Sequence, residues 1–188
     1  MPKLVDHGRR RDEVAAIAAA VLADTGIDSS TIRDVATAGG WSTTWVTHYF
    51  ASKDELLAHT LEHSIAESTE AIITACREGV DELRAIVEQL LPLDDQRRGR
   101  WRLWLAFWGR AIGSPELAEI QRSRQSQLVT MFDEALARRG EPADAEARRA
   151  ESQRLIALLD GIAVQATFLP EHWPPDRQLA YFADVLGG

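Results

Sequence analysis

The sequence predicts an all-α fold of about nine helices. Three observations lead there. Apolar residues recur at helical spacing along almost the whole chain. Glycines and prolines sit between those periodic stretches, where they punctuate helices. No stretch alternates apolar and polar residues as a half-buried strand would.

The first helix is expected over Arg9–Asp24, where Val14, Ile17, Val21 and Leu22 make one apolar stripe. Thr25-Gly26 ends it. A short helix follows over Thr31–Ala38, with Ser30 as its cap and Ile32, Val35 and Ala36 facing inward. Gly39-Gly40 turns the chain into a second short helix, Ser42–His48. Ser52-Lys53-Asp54-Glu55 has the spacing of a capping box, so a long helix starts there and runs to Gly79. Five more helices are expected over Asp81–Leu91, Gln96–Ile112, Pro115–Arg139, Ala143–Leu169 and Pro175–Leu186. Pro92, Gly113, Gly140, Pro142, Pro170 and Pro174 mark the breaks. Pro115 suits a first helical turn, where its missing N–H costs nothing.

The 188 residues are 45% hydrophobic and 27% charged, enough apolar mass for a sizeable core. The single Cys76 excludes a disulfide framework and a cysteine-based zinc site, and reads as a small core residue. No apolar run approaches the roughly 18 residues of a membrane span, and Met1–Arg11 has no secretory pattern. A cytoplasmic location without a membrane partner is therefore expected. Net charge is −8, which taken alone argues against a nucleic-acid partner. The distribution of that charge points the other way. Residues 1–53 carry six bases (Lys3, Arg9, Arg10, Arg11, Arg33 and Lys53) against six acids, so all the excess acid lies in residues 54–188. A neutral N-terminal module can approach phosphates if its bases share a face.

The two short helices joined by a glycine turn make a helix-turn-helix pattern, a weak signal alone because many helical proteins contain such a corner. The outward residues of the second helix strengthen it. Ser42, Thr43, Thr44, Thr47 and His48 are small or polar, whereas Val46 and Phe50 anchor inward. A helix that enters the major groove needs short hydrogen-bonding side chains near its N-terminus, where base edges lie closest. Lys53 opens the next helix within reach of a backbone phosphate. The competing explanation is that these Ser and Thr residues are caps and solvent contacts.

Thr25-Gly26, the run Ile32-Arg33-Asp34-Val35-Ala36, Gly39-Gly40-Trp41-Ser42 and the run His48-Tyr49-Phe50-Ala51-Ser52-Lys53 through Leu57 stand in one order and spacing. In this the chain resembles the DNA-binding domain of TetR-family transcriptional regulators over about residues 9–60. The remainder agrees in length and helix count. Trp104-Leu105-Ala106-Phe107-Trp108 and Leu159-Asp160-Gly161 resemble the branch that includes choline-response repressors.

The resemblance implies a helix-turn-helix domain over residues 1–53 and a ligand-binding and dimerisation domain over residues 54–188. It implies double-stranded operator DNA, a homodimer and a small-molecule effector as partners, with no cofactor, no metal and no enzymatic activity. Arg33 matches a position that often reads a base. Thr43, Thr44, Trp45, Thr47 and His48 match recognition-helix positions, and Tyr49 and Lys53 match phosphate contacts. With Thr31 and Ser42 at the two helix starts, these form the expected DNA-contacting set. The sequence departs from the commonest pattern at Trp41, Trp45 and Thr47. Trp45 either contacts a thymine methyl or sugar, or packs inward and reorients the helix.

Trp101, Trp104 and Trp108 fall at i, i+3 and i+7 on one helix face, beside Phe107. Burying one Trp removes about 150–250 Å² from water, so this stripe is either plain core or the wall of a cavity. As a wall it would use Trp101, Trp104, Phe107, Trp108 and Phe168, with Phe132, His172, Trp173 and the acids Glu62, Glu67 and Asp160 as further contributors. Aromatic faces of this kind suit a cation. The helix over 143–169 shows a broad apolar face. The resemblance implies that Leu155, Leu159, Ile162 and Ala166, with Phe182 of the last helix, meet a second copy. A monomeric core is the alternative.

His59 and His63 flank Glu62 at i, i+4 but lack the His-Glu-x-x-His order of zinc proteases, so a solvated or domain-junction pair is expected. No phosphate-binding glycine loop or nucleophile elbow occurs. The class that competes with a ligand-released, palindrome-binding repressor is an all-α small-molecule carrier or helical enzyme that does not bind DNA.

Overall fold

The computed structural model describes residues 7–26, 29–140 and 142–186, and every regular element in them is a helix. The order is α1 (His7–Thr25), α2 (Ile32–Ala38), α3 (Thr43–Tyr49), α4 (Lys53–Arg77), α5 (Glu82–Leu90), α6 (Asp95–Ala111), α7 (Pro115–Arg139), α8 (Ala145–Phe168), α9 (Pro175–Ala180) and α10 (Ala183–Leu186). No described helix is long and apolar enough to cross a membrane.

Local chemistry sets most of the starts. From α2 to α8, each helix opens on a Thr, Ser or Asp whose side-chain oxygen accepts the backbone N–H three residues on. The cap of α2 is Thr31, not Ser30. Ser30 is buried and donates its hydroxyl back to the Gly26 carbonyl at 2.6 Å. Thr31 and Asp34 form the reciprocal capping box, with Thr31 N–H donating to Asp34 Oδ2 at 2.8 Å. The box expected at Ser52 is modified. Ser52 Oγ accepts from Glu55 N–H at 3.0 Å, but the Glu55 carboxylate takes its proton donor one residue earlier, at Ala51 N–H.

Ten helices stand where about nine were expected, because Pro175–Leu186 divides. Phe182 N–H reaches back three residues to the Leu179 carbonyl. This tighter turn swings the Phe182 ring into the core, where it is fully buried.

The core is continuous from α1 to α10. α1 packs on α4 and α6, and with α4 it supports the α2–α3 pair. α7 packs along α8, α6 lies against both, and α5 closes the bundle against α4 and α7. Val14, Val35, Val46, Phe50 and Leu57 fill the N-terminal end. Trp101, Trp104, Phe107, Phe132 and Leu159 fill the other. Gly99 on α6 faces Ala23 on α1, where a Cβ built on Gly99 would make an ordinary contact at 3.9 Å.

Candidate functional site

The α2–α3 pair is held by short-range geometry. The Trp41 N–H donates across the turn to the Ala36 carbonyl at 2.8 Å. Gly40 takes φ +69°, a left-handed conformation that favours glycine. Gly39 is required for a different reason: a Cβ there would lie 2.2 Å from the Trp41 ring. Trp41 folds back over the turn and stacks on Trp45, with centroids 4.8 Å apart and planes 27° from parallel. Trp45 in turn meets Tyr49 at 4.8 Å, and Tyr49 meets His7 of α1 at 4.8 Å.

This aromatic ladder bears on two expected contacts. Trp45 is half-buried in it, so the inward-packing alternative describes the free protein. Tyr49 is 8% exposed, so its ring serves the packing of the head and offers little surface to a phosphate. Arg33, Thr43, Thr44, Thr47 and His48 are exposed, and Lys53 is half-buried at the first turn of α4. Ser42 and Thr31 are exposed as well, but each spends its oxygen on a cap. The cap of α2 holds the Asp34 carboxyl below its ordinary range, chiefly through the Thr31 hydroxyl. The arrangement presents a short helix whose outer face is hydroxyls, an imidazole and a neighbouring guanidinium, a set that can donate to and accept from base edges.

Arg11 belongs to this head although nothing in its spacing marks it. Its Nη1 donates to the Tyr49 carbonyl at 2.7 Å and to Glu55 Oε1 at 2.8 Å, and its guanidinium lies 4.4 Å from the Phe50 ring centre. It therefore caps the C-terminal end of α3 and ties α1, α3 and α4 together. The same guanidinium holds the Glu55 carboxyl below its ordinary range. His59 and His63 sit at the α1–α4 junction, where His59 Nε2 lies 3.0 Å from Asp12 Oδ1.

At the other end the tryptophan stripe separates into different roles. Trp101 is buried and donates from Nε1 to the Leu90 carbonyl at 2.6 Å, so it is core. Its ring meets Trp104 and Trp108 edge-on at 5.3 and 5.7 Å. Phe107 and Phe132 are fully buried. Trp104 lines a narrow cavity between α4, α5, α6 and α7, of about 50 Å³. Trp108 donates to Gln121 Oε1 at 3.0 Å and lines a wider, open cleft of about 540 Å³ with Ile112, Gln125 and Asp160. Phe168 corrects the expectation that it belongs to this wall. It ends α8 at 70% exposure, on the surface beside Leu169.

Two charged groups stand out here. Arg124 of α7 lies with its guanidinium 4.2 Å from the Trp104 ring centre, and burial pushes its pKa down to about 10. Burial pushes the Asp160 carboxyl up to about 6, with the positive charge of Arg124 pulling the other way.

The expected interface residues also change place. Leu155, Leu159, Ile162, Ala166 and Phe182 are all buried within the single chain, so they are core and present no surface to a second copy. The opposite face of α8 is exposed or half-exposed at Ala157, Leu158, Gly161, Val164 and Phe168. A Cβ on Gly161 would meet nothing within 4 Å.

The sequence profile described as the BetI-type transcriptional repressor C-terminal domain matches residues 79–187, and that of bacterial regulatory proteins of the tetR family matches residues 15–60. The HTH-type transcriptional regulator BetI of Paraburkholderia xenovorans is 32% identical over 194 residues, covering 99% of this chain and 96% of that one. HTH-type transcriptional regulator PksA of Bacillus subtilis is 26% identical over 185 residues, covering 94% and 88%. Among solved structures, a transcriptional regulator from Rhodococcus sp. Rha1 superposes with a TM-score of 0.82 at 30% identity, covering 94% of each chain. A transcriptional regulator from Saccharomonospora viridis, solved in complex with choline, superposes at 0.80 with 21% identity, covering 94% of this chain and 96% of that one. The helix-turn-helix geometry and these matches together establish that the chain belongs to the TetR family, as a helix-turn-helix transcriptional regulator with a BetI-type C-terminal domain and not an enzyme.

Proposed function

We propose that this regulator is a repressor that binds a palindromic operator as a homodimer and is released when a small molecule enters residues 54–188. The observation that carries the reading is the exposed outer face of α3, with Thr43, Thr44, Thr47 and His48 beside Arg33, on a head whose inner face is locked by Val46, Phe50 and the aromatic ladder. Arg33, Thr43, Thr44, Thr47 and His48 face base edges. Lys53 takes a phosphate, while Thr31, Ser42, Trp45 and Tyr49 hold the two helices in register. Residues 1–53 thus act as the reading head, in the cytoplasm, where the operator is.

The dimer forms through the outward face of α8, where Leu158, Gly161, Val164 and Phe168 make an apolar strip with a glycine that permits close approach, and Tyr181 beyond α9 extends it. A two-fold pair sets two recognition helices about 34 Å apart, one turn of DNA. The effector changes that separation and shifts the equilibrium by its difference in affinity for the two states.

Fluorescence anisotropy with labelled DNA from upstream of the protein's own gene, against a scrambled duplex and at several salt concentrations, tests this. Sequence-preferring binding with a salt slope of several phosphates is expected. Equal binding to both duplexes, followed by failure to select any site from a random DNA pool, overturns it.

A further inference from the structure

Arg124 and Trp104 carry donors that the protein leaves unused. Among the described residues, the Arg124 guanidinium has no hydrogen bond and no carboxylate within ion-pair distance, and it is half-buried against the Trp104 ring. Asp160 compensates its charge only at longer range. The Trp104 indole N–H is buried without an acceptor in the protein. Both residues line the cavity between α4, α5, α6 and α7. A buried N–H costs free energy until an acceptor meets it, and a half-buried guanidinium without a partner gains from the same acceptor. The rest of the wall is mostly apolar, with Ile65, Ile72, Leu128 and Met131 around the space.

The aromatic surface that would suit a cationic ligand is already in use here. One face of Trp104 carries Arg124 at 4.2 Å and its ring meets Trp101 edge-on at 5.3 Å. A quaternary ammonium would have to displace the protein's own guanidinium, and like charge opposes its arrival.

We propose that this cavity binds a small organic carboxylate, whose two oxygens take the Arg124 guanidinium and the Trp104 indole N–H while its apolar body lies against Ile65, Ile72, Leu128 and Met131. A guanidinium presents a planar fork that matches a carboxylate. The assignment rests on reading the C-terminal domain as the effector-binding part and names its ligand class.

Calorimetric titration of the full chain with hexanoate, hexanamide and choline tests it. Hexanoate is expected to bind at least tenfold more tightly than hexanamide, which keeps the body and loses the charge, and more tightly than choline. Arg124→Gln should weaken hexanoate at least tenfold. Trp104→Phe keeps the ring and deletes the N–H, so it should weaken hexanoate severalfold, and it decides the matter if Arg124→Gln fails to fold. Choline or hexanamide binding as well as hexanoate overturns the proposal, as does hexanoate affinity unchanged in a folded Arg124→Gln or Trp104→Phe chain, or no binding of hexanoate. The operator assay separates the two readings. Operator binding released by choline but not by hexanoate overturns the carboxylate site and leaves the regulator. Hexanoate binding in a chain with no operator preference does the reverse.

Discussion

Arg110, one residue before the end of α6, donates from Nε to Asp54 Oδ1 at 2.8 Å and brings Nη2 to 2.6 Å of the same oxygen. Asp54 neighbours Lys53 in the first turn of α4. The helix that carries Trp104 into the C-terminal cavity is thereby pinned to the start of α4, the helix that follows α3. A displacement of α6 on ligand entry would be transmitted through this pair.

Breaking the pair should therefore uncouple and not disable. Coupling energies of this kind run about 1–3 kcal/mol, and Arg110→Gln is expected to remove about 0.5–1 kcal/mol of it. Effector-free operator affinity should stay within about threefold of the parent while the ligand-induced release shrinks two- to fivefold. Anisotropy titrations with and without ligand, repeated for Asp54→Asn and the double variant, measure it. Equal losses in both ligand states would show that the pair merely supports the fold.

Lys53→Ala should weaken binding to operator and scrambled DNA alike and reduce the salt slope by about one. Thr43→Ala should change base preference instead, by about 1–3 kcal/mol at the position it reads. Unchanged affinity and slope for Lys53→Ala would mean the head docks differently.

The cap of α2 is a local device with a local cost. Thr31→Ala removes the acceptor of the Asp34 N–H and one member of the reciprocal box, and should lower unfolding stability by about 1 kcal/mol. Ser30→Ala acts elsewhere, because Ser30 bonds the Gly26 carbonyl and the Thr25 hydroxyl. Urea melts that show α2 equally stable without Thr31 would contradict the capping assignment.

Asp160 gives a pH signature of definite sign. Its carboxyl titrates at about 6 in the folded chain against an ordinary 3.8. Between those values the folded state holds a proton that the unfolded state has released, so stability from this group falls as pH rises from about 4 to 6 and then levels. Asp160→Asn escapes that loss. Denaturation at pH 4, 6 and 8 should show parent and variant similar at pH 4, with the variant more stable by up to about 3 kcal/mol at pH 8. A difference that does not change with pH would exclude the effect.

The two faces of α8 should respond oppositely. Leu159→Ala opens a cavity in the core and should cost about 2–5 kcal/mol of stability. Gly161→Arg projects outward into open space and should leave the protomer folded while abolishing the dimer, as light scattering after size exclusion would show. A dimer that survives Gly161→Arg would move the interface elsewhere.

The all-α class, the short helix pair and the outward hydroxyls of α3 are legible in the order of residues alone. Those are encoded in spacings of three, four and seven residues and in caps that act across three, so they are legible without a fold. The sequence also showed that Trp101, Trp104 and Trp108 share a face. It did not show that Trp101 would be core, Trp104 a cavity wall and Trp108 the edge of a wider cleft, because neighbouring helices decide what stands opposite each ring. α8 is the clearest case. Its apolar residues run on two sides, and periodicity alone gives no way to tell which side meets α7 and which meets water; tertiary packing buried Leu155, Leu159 and Ile162, left Leu158 and Val164 half-buried and put Phe168 on the surface. The long-range charges were silent for the same reason. Arg11 reaches Glu55 across 44 positions and Arg110 reaches Asp54 across 56. Arg124 acquires its shifted pKa only when three helices close around it, since desolvation is a property of the folded environment and not of the residue.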